Sequence, residues 1–454
     1  MHAKLRIKLL SNLGANAYGQ LITIAIQLVS VPLYLHYWGV ELYGEWLILS
    51  AIPAYLTLSD IGLGSVAAND MTMRVAQGDK QGALEVYQSI WLFISGVSVA
   101  VGLTLTLLIY ALPANAILSL IHINEKQTQQ TLTILMLWVF VGLQGNILNA
   151  AFVSVGRYAY GTAMGNNVRL AEWLASLLVL LMGGGVQVTA LANLATRLIG
   201  MTLLWLVLRK QVPWLYHGIK VASIQQVRTL FKPAVAFMAF PLGFAFSSQG
   251  MVLMIGMMLG STAVVIFSTY RTLTRLLLQF ITMLNHAVWP AVSEAYGAKQ
   301  MNLVTQLHRQ VSFLTFWIAL IGVTLLGIFG EWFINIWTRH AFNQNSILFI
   351  LLLAATFLNV LWQPSLMILM ATNQHQKTAL AFLASTASGL MFSFLAMQEY
   401  GIVIIGFVLT VCELPILYAA VRNALVITKA SWRDYYKSIF RFPFELPKYI
   451  KIKQ

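Results

Sequence analysis

Charged residues are scarce in this chain of 454 residues. Asp, Glu, Lys and Arg together make up 9% of it, whereas soluble domains carry roughly 25%. Apolar residues make up 59%, and the mean hydropathy is +0.76. No polar segment is long enough to form a separate soluble domain. A water-soluble fold is therefore excluded, and the sequence predicts an all-α integral membrane protein.

Motifs for catalysis and for metal binding are lacking as well. The single cysteine, Cys412, lies in an apolar stretch, so neither a disulfide framework nor a cysteine-based metal site is available. The sequence contains no phosphate-binding P-loop and no HExxH or GxSxG motif, and its eight histidines are scattered without the spacing of metal ligands. We therefore expect no enzymatic activity and no cofactor, with a membrane glycan enzyme as the less favoured alternative.

Twelve segments have the length and apolar character of membrane-spanning helices. The first follows a basic start and is interpreted as a retained span, because it is too long for a signal peptide and no cleavage site closes it. The segments lie at residues 11–35, 43–69, 86–112, 130–155, 160–182, 186–208, 233–258, 261–286, 309–332, 346–371, 377–397 and 401–424. The predicted organisation is a six-helix lobe at 1–210, a basic cytoplasmic linker at 211–232, a second six-helix lobe at 233–424 and a basic cytoplasmic tail at 425–454.

Lysine and arginine are distributed unevenly over the connections between these segments. Twenty-two of the 28 fall on one side, whereas the other side carries Lys126 and Arg339 alone. The positive-inside rule then predicts that both termini are cytoplasmic. This asymmetry explains the net charge of +14 without any nucleic acid partner. In the tail, basic residues alternate with aromatic ones, which suits an anionic leaflet surface as well as a purely topological role.

The sequence repeats itself once. Residues 76–81 and 295–300 are identical at four of six positions, and each follows the second span of its half. Six spans per half is an even number, so the halves are predicted to be parallel repeats with a central cavity between them.

Polar residues at helical spacing run along three of the spans, which predicts a water-accessible cavity. For any single residue in these stripes, a hydrogen bond between helices is the favoured alternative. The stripes are Asn12, Asn16, Gln20, Thr23 and Gln27 in the first span, Thr189, Asn193 and Arg197 in the sixth, and Ser268, Arg271, Arg275, Gln279, Thr282 and His286 in the eighth.

Four arginines lie within the spans, where each costs roughly 2.5 to 3.5 kcal/mol at mid-membrane. Glu172 is three residues from Arg169, so a local ion pair accounts for both. Arg271 and Arg275 are one turn apart and repel each other, which indicates an anion between them, and phosphate fits the planar guanidinium fork. Structural pairing of these arginines is an equally weighted alternative. The candidate substrate-binding residues are Arg271, Arg275, Arg197, Arg169, Asn16, Gln20, Gln27 and Asn193, and Asp60 and Glu172 are candidates for ion coupling.

Three segments carry a resemblance to a known family. The first span begins Asn12-Leu13-Gly14, residues 39–44 read Gly-Val-Glu-Leu-Tyr-Gly, and residues 58–64 read Leu-Ser-Asp-Ile-Gly-Leu-Gly. The pair Gly260-Ser261 is a weaker copy of the connection at Gly39. Together with twelve spans in two halves, these segments resemble the polysaccharide transporter branch of the multidrug/oligosaccharidyl-lipid/polysaccharide exporter superfamily.

The resemblance implies a MATE-like fold and a flippase of the bacterial inner membrane. Its substrate would be an undecaprenyl-diphosphate-linked oligosaccharide of O-antigen or a similar surface polysaccharide, moved to the periplasmic leaflet by alternating access. A polysaccharide polymerase and chain-length proteins are the implied protein partners. A drug or organic-cation antiporter of the same superfamily should instead prefer acidic residues in its cavity. A lipid II flippase shares the diphosphate chemistry, but its family generally has additional spans.

Overall fold

The computed structural model describes residues 2–60, 62–372 and 374–440, and within these ranges every regular element is helical. The chain divides into two compact units, Met1–Val265 and Ile266–Gln454. The all-α class predicted from the sequence is confirmed. The lobe boundaries predicted at 210 and 233 stay a prediction, and the last part of the predicted tail lies outside the described residues.

The first unit contains ten helices. Residue Gly39 interrupts the first of them, and a 3-10 turn (Thr57–Asp60) separates it from the second. The helices are α1 (His2–Leu56), α2 (Leu63–Ala76), α3 (Lys80–Ala111), α4 (Ala114–Leu118), α5 (Glu125–Ser154), α6 (Tyr158–Leu181), α7 (Val186–Gln211), α8 (Ile224–Phe237), α9 (Ala239–Ala245) and α10 (Met251–Leu259).

The second unit contains six helices, and the first five residues of the first of them belong to the first unit. Its apolar core packs α13 against α15 and α12, and α14 lies against α15. The helices are α11 (Ser261–Gly297), α12 (Met301–Thr338), α13 (Ser346–Ala371), α14 (Gln376–Tyr400), α15 (Val403–Thr428) and α16 (Trp432–Ile439).

Nine helices of the described chain are long and apolar enough to cross a membrane. One of them, Ser11–Leu56, is 46 residues long and contains two spans, because Gly39 breaks it. Helices α6 and α11 are not among the nine. They have 24 and 37 residues, enough to cross a bilayer, and each carries arginine in its interior. The nine helices, the break at Gly39 and these two polar helices together correspond to the twelve predicted spans.

Gly39 and Gly260 form the same kind of break in the two halves. Their backbones adopt φ 73°, ψ −179° and φ 83°, ψ 178°, a region that essentially only glycine adopts without strain. Each residue ends one span and begins the next. The structure thus gives the Gly260 connection the conformation of the Gly39 connection, which the sequence indicated only weakly.

The internal repeat has a different register from the one that sequence matching gives. Gly78 and Lys299 both have positive φ, at the ends of α2 and α11, and they lie 221 residues apart, as Gly39 and Gly260 do. The match between residues 76–81 and 295–300 has an offset of 219. The sequence motif is therefore displaced by two residues from the backbone repeat.

Two glycines allow α1 to lie directly against α10 and the start of α11. A Cβ on Gly44 would collide with the carbonyl group of Ser261, and one on Gly256 would lie 2.6 Å from the end of the Ile48 side chain. The Tyr55 hydroxyl donates to the Ala245 carbonyl oxygen at 3.2 Å in the same seam. Small residues permit this close packing of membrane helices.

Residues 212–223, which form most of the predicted linker, are fixed on α3 rather than free. Leu215 is fully buried. The His217 ring stacks on Trp91 at 4.9 Å, and its Nε2 lies 2.8 Å from the Tyr87 hydroxyl. The Ser223 N–H donates to Ser89 Oγ at 2.8 Å. Burial, with a smaller contribution from nearby Arg209, lowers the pKa of His217 to about 4.

Replacing Gly44 by Val should destabilise the protein by roughly 1 to 3 kcal/mol, because the new side chain has no space beside Ser261. The melting temperature of the purified protein measures this loss. Gly96→Val in α3 is the matched control, since a Cβ there meets no atom within 4 Å. Equal melting temperatures for the two variants would rule out the tight seam.

Acid should weaken the docking of the linker. His217 has a pKa near 6.5 when unfolded and about 4 when folded, so its contribution to stability is complete above pH 6.5 and falls as the pH drops from 6.5 towards 4. Melting temperatures measured at pH 7.5 and pH 5 should differ less in His217→Gln than in the parent chain. An unchanged pH dependence in this variant would show that the buried imidazole is not the responsible group.

Candidate functional site: a polar cavity in the first unit

A cavity of about 530 Å³ lies in the first unit among α5, α6 and α7. It is lined by three asparagines, two arginines, a tyrosine and several glycines, a composition far more polar than that of the chain as a whole. The lining residues are Thr57, Trp138, Val139, Gly142, Leu143, Gly145, Asn146, Asn149, Tyr158, Gly161, Thr162, Gly165, Asn166, Arg169, Arg197, Met201 and Leu204.

Glycines on α5 provide the space for long side chains from α7. Residues 138, 142, 145 and 149 share one helical face because they are spaced by four, three and four. A Cβ on Gly142 would lie 2.6 Å from Arg197 Nη1, and one on Gly145 would lie 2.6 Å from the sulfur of Met201. The spacing of small residues on α5 therefore decides how deeply Arg197 enters the lobe.

Arg197 forms a bidentate ion pair with Glu172. Its Nε and Nη2 donate to the two carboxylate oxygens at 2.5 Å and 2.8 Å, and its guanidinium carbon lies 3.8 Å from the centre of the Trp138 ring. The exposed fractions of the two side chains are 17% for Arg197 and 7% for Glu172. The charge of Arg197 is thus compensated and its fork is occupied.

The sequence interpretation that pairs Glu172 with Arg169 is therefore wrong, because the partner of Glu172 is Arg197. Spacing within α6 identifies a local candidate, whereas packing of α7 against α6 brings Arg197 to the same carboxylate. Arg169 turns to α1 instead and donates from Nη2 to the carbonyl oxygen of Gly19 at 2.7 Å. Glu172 interacts with Arg169 only at longer range.

Arg169 is the cationic group of the cavity that has no carboxylate within ion-pair distance in the described part of the chain. Besides Gly19 it contacts the side-chain oxygen of Asn166 at 3.4 Å. The absence of a side chain at Gly19 leaves room for Asn166, because a Cβ there would lie 2.5 Å from the Asn166 amide nitrogen. The charged residues of the lining itself are Arg169 and Arg197, and since Glu172 pairs with Arg197, the lining carries one positive charge that is not in an ion pair.

Three buried polar atoms on the cavity lining have no hydrogen-bond partner among the described residues. They are Nε1 of Trp138, Nε of Arg169 and Oδ1 of Asn149. Buried polar groups are normally paired, so two donors and one acceptor without protein partners indicate a site for a polar ligand or water. A hydroxyl-rich molecule offers both acceptors and donors to such a set.

Asp60 lies next to this cavity. Its carboxylate accepts a hydrogen bond from the Gly64 N–H at 2.9 Å, at the start of α2, and the side chain of Asn146 lies beside it. Gly62, with φ 71°, is the N-cap of α2 and has no side chain to bind the first N–H groups of the helix, and Asp60 binds one of them instead. Asp60 thus makes the helix-packing contact considered in the sequence analysis, and it also contacts Asn146 of the cavity lining.

The other candidates from the first unit divide into one that reaches the cavity and three that do not line it. Asn16 accepts a hydrogen bond at 2.9 Å from the hydroxyl of Tyr158, a lining residue. Asn193 accepts one at 2.6 Å from Ser176 and joins α7 to α6. Gln20 and Gln27 are half-buried on α1, away from the lining.

The second unit contains the arginine pair predicted to bind an anion. Arg271 and Arg275 are half-buried, one turn apart on α11. The guanidinium of Arg271 lies 5.5 Å from the ring centre of Phe267, and the charges of Glu413 and Arg275 both act on it. Arg275 makes no hydrogen bond or ion pair with any residue that the structure describes. The side chain of His286, at the end of this stripe, lies outside the described residues.

Glu413 on α15 is held by neutral donors. The Asn359 side-chain amide donates to one carboxylate oxygen at 2.9 Å, and Trp362 Nε1 donates to the other at 2.7 Å. Its charge acts on Arg271 without a contact at ion-pair distance. In this unit the charge of Glu413 acts on Arg271, whereas Arg275 has no acid within ion-pair distance among the residues that the structure describes.

Sequence reasoning missed several residues of these sites. Asn146, Asn149 and Asn166 line the cavity, and their signal was the combination of asparagine with glycine on one face of an apolar helix. Glu45 was also passed over, although it lies within a predicted span. It is 1% exposed, and its carboxylate accepts hydrogen bonds from the backbone N–H groups of Ile121 and His122 at 2.6 Å and 2.8 Å.

Comparisons with known proteins support the fold. No family model matches the chain, and no curated protein matches it in sequence. Among solved structures, it is similar to an inward-facing multidrug resistance MATE family transporter of the MOP superfamily, with a TM-score of 0.71 at 14% identity over 90% of this chain and 99% of that one. An outward-facing MATE family transporter of the same superfamily gives a TM-score of 0.63 at 13% identity over 93% and 95% of the two chains.

A third similar structure is a MOP superfamily transporter from Pyrococcus furiosus, with a TM-score of 0.56 at 14% identity over most of both chains. For that protein, reversed polarity of the binding pocket is described as suggesting a different function. Sequence identities of 13–14% support a common fold and no more specific property. The chain is therefore a multi-pass helical membrane protein with the fold of the MATE family transporters of the MOP superfamily.

Proposed function

We propose that this protein is a flippase for an amphipathic anion, an undecaprenyl-diphosphate-linked oligosaccharide of O-antigen or a similar surface polysaccharide. It would move this substrate from the cytoplasmic to the periplasmic leaflet of a bacterial inner membrane, with both of its own termini in the cytoplasm. The observation that carries the proposal is the uncompensated charge of Arg169 in a polar cavity whose other arginine, Arg197, is already paired with Glu172.

The sign of this charge separates the two main candidate functions. At an effective dielectric constant of about 20, two unit charges 4 Å apart interact by about 4 kcal/mol. An organic cation beside Arg169 would meet repulsion of this order, whereas a phosphate group would meet attraction and a charge-assisted hydrogen bond. A positively charged cavity therefore favours an anionic substrate.

The neutral groups of the cavity suit a sugar. Asn146, Asn149, Asn166 and the Tyr158 hydroxyl supply both donors and acceptors. The unpartnered Nε1 of Trp138 adds a donor that a sugar hydroxyl can satisfy. Protein groups would thus replace the hydrogen bonds of the oligosaccharide to water while the lipid tail stays in the bilayer.

Arg275 supports the same substrate class from the second unit. It lacks a hydrogen bond or ion pair within the described chain, and Arg271, one turn away, carries the same charge. A diphosphate would relieve this repulsion by accepting hydrogen bonds from both guanidinium groups. In this proposal Arg169 contacts phosphate in the cavity of the first unit, Arg271 and Arg275 are a separate anion-binding candidate within the second unit, and Arg197 is assigned to the fixed ion pair.

Asp60 is the better of the two candidates for ion coupling. Glu172 is held in a bidentate ion pair, so a change in its protonation would disrupt the packing of α6 on α7. Asp60 is bound by one backbone N–H and lies beside Asn146 on the cavity lining. Its protonation or cation binding would therefore alter the cavity directly, as acids at membrane depth often do.

A drug or organic-cation antiporter is the second candidate. It is supported by the fold, since two of the similar structures are multidrug resistance transporters. If the fold alone is considered, it is a more direct inference than the flippase. Identities of 13–14% leave the substrate open, and the charge of the cavity is the observation that opposes a cation. A lipid II flippase shares the diphosphate chemistry of the first proposal.

Removal of the unpaired arginines should abolish transport without loss of the protein. We expect Arg169→Ala and Arg275→Ala each to lower surface polysaccharide by about tenfold or more in a complemented deletion strain, because a hydrogen bond to a charged group contributes about 1.5 to 3 kcal/mol. Lipid-linked repeat units should accumulate on the cytoplasmic leaflet. Arg228→Ala, an exposed residue of α8, is the matched control. Normal polysaccharide in both test variants, at normal membrane levels, would defeat the phosphate role.

The ion pair should behave as a structural unit. Glu172→Gln leaves Arg197 buried without its partner and should lower the free energy of unfolding by about 3 to 5 kcal/mol. The double variant Glu172→Gln/Arg197→Gln should recover part of the loss, because no buried charge then remains unpaired. Thermal unfolding of the purified variants provides the measurement. Additive losses in the double variant would argue against the pair.

A further inference from the structure

A short helix, α16, follows the membrane-spanning helix α15 after three residues, 429–431. Ser431 caps its N-terminus, and the Ser431 hydroxyl accepts a hydrogen bond from the Asp434 N–H at 3.1 Å. One face of α16 is docked on the second unit. Tyr435 and Ile439 are buried against Val421 and Leu425. This face fixes α16 at the end of the membrane-spanning bundle.

The docked face is also held by polar contacts. The Tyr435 ring stacks on that of His308 at 5.1 Å, and its hydroxyl lies 3.3 Å from Ser312 Oγ. His308 in turn lies 3.0 Å from Ser365 Oγ. Burial raises the pKa of the Tyr435 hydroxyl, which therefore stays neutral. Helix α16 is thus coupled to α12 and α13 in the core of this unit.

Four stacked aromatic side chains run along α15 and α16, and we call them the aromatic ladder. Trp432 stacks on Tyr418 at 5.9 Å and on Tyr436 at 5.8 Å, and Tyr436 stacks on Phe440 at 6.4 Å. Tyr418, Tyr436 and Phe440 are 56%, 49% and 61% exposed. Large aromatic residues with this exposure at the end of a membrane span are typical of the interface between water and lipid.

Basic residues surround the aromatic ladder. Arg422, Lys429, Arg433 and Lys437 are exposed, and the guanidinium of Arg422 lies 5.9 Å from the ring centre of Tyr418. The single acid of α16, Asp434, lies 4.0 Å from Arg309, a fifth basic residue. The surface therefore combines exposed aromatic rings with an excess of positive charge.

We infer that α16 and the end of α15 form a binding site for anionic phospholipid headgroups. The aromatic ladder lies next to a membrane span and is therefore expected in the interfacial region of a leaflet. The neighbouring basic residues can bind the phosphate groups of anionic lipids there. The positive-inside prediction assigns this leaflet to the cytoplasmic side. The opposite face of α16 packs on α12, which in turn contacts α13. Lipid bound to α16 therefore stabilises the packing of the second unit. The inference does not depend on the transported substrate.

Thermal unfolding of the full-length protein in detergent, with added lipid, tests this site. Phosphatidylglycerol should raise the melting temperature clearly more than phosphatidylcholine does, and 0.5 M salt should remove most of the difference by screening, since the Debye length falls to about 3 to 5 Å at such ionic strengths. Inorganic phosphate alone should have no effect, because it lacks the acyl chains that seat beside the rings.

The double variant Arg433→Gln/Lys437→Gln should lose most of the phosphatidylglycerol effect while keeping the melting temperature of the parent chain without lipid. Lys220→Gln/Arg228→Gln, which removes the same charge from exposed positions of the first unit, should keep the effect. Equal responses of the two double variants, or equal stabilisation by phosphatidylcholine or inorganic phosphate, would overturn the proposal. If the first variant unfolds, retention of phosphatidylglycerol by the parent chain in native mass spectrometry, and its loss in 0.5 M salt, decides the question.

Discussion

The ion pair between Arg197 and Glu172 determines the charge of the cavity and holds together the three helices that form it. Each arginine placed at mid-membrane costs roughly 2.5 to 3.5 kcal/mol, so Arg197 requires a partner at the same depth. The partner comes from α6, the ring beneath the guanidinium from α5, and the space from Gly142 on α5. Once this pair is made, Arg169 has no carboxylate within ion-pair distance among the described residues, and its positive charge remains on the cavity lining.

The same logic distributes roles among the polar residues of the spans. A polar group that finds a protein partner joins helices, as Asn193 does with Ser176 and Glu413 with Asn359 and Trp362. A polar group that finds none is available to a substrate. Arg169 Nε, Trp138 Nε1 and Asn149 Oδ1 are of this second kind within the described chain. Fold similarity at 13–14% identity cannot make this distinction, because it does not identify which side chains are paired.

Much of the fold was predictable because hydropathy and charge act over whole segments. The twelve spans follow from apolar length, and the break at Gly39 follows from a glycine between two apolar runs. Partners across helices were not predictable. Spacing within α6 assigns Glu172 to Arg169, and only the packing of α7 reveals Arg197. The docking of residues 212–223 on α3 was missed for the same reason. The position of this segment between two apolar spans describes a linker, whereas the stacking of His217 on Trp91 depends on three-dimensional contact. The register of the internal repeat could not be predicted from the sequence either. Gly78 and Lys299 occupy equivalent positions because both have positive φ, but their residue types differ.

The most direct test of the account is a comparison of ligand binding to the purified protein. An undecaprenyl-diphosphate-linked oligosaccharide and a lipophilic organic cation of similar size should be titrated against the parent chain and against Arg169→Glu, which reverses the uncompensated charge. The account predicts that the parent chain binds the anionic lipid and excludes the cation, and that the variant reverses this order. Tight binding of the cation by the parent chain, unchanged or weakened in Arg169→Glu, would contradict the claim that the charge of this cavity selects an anion.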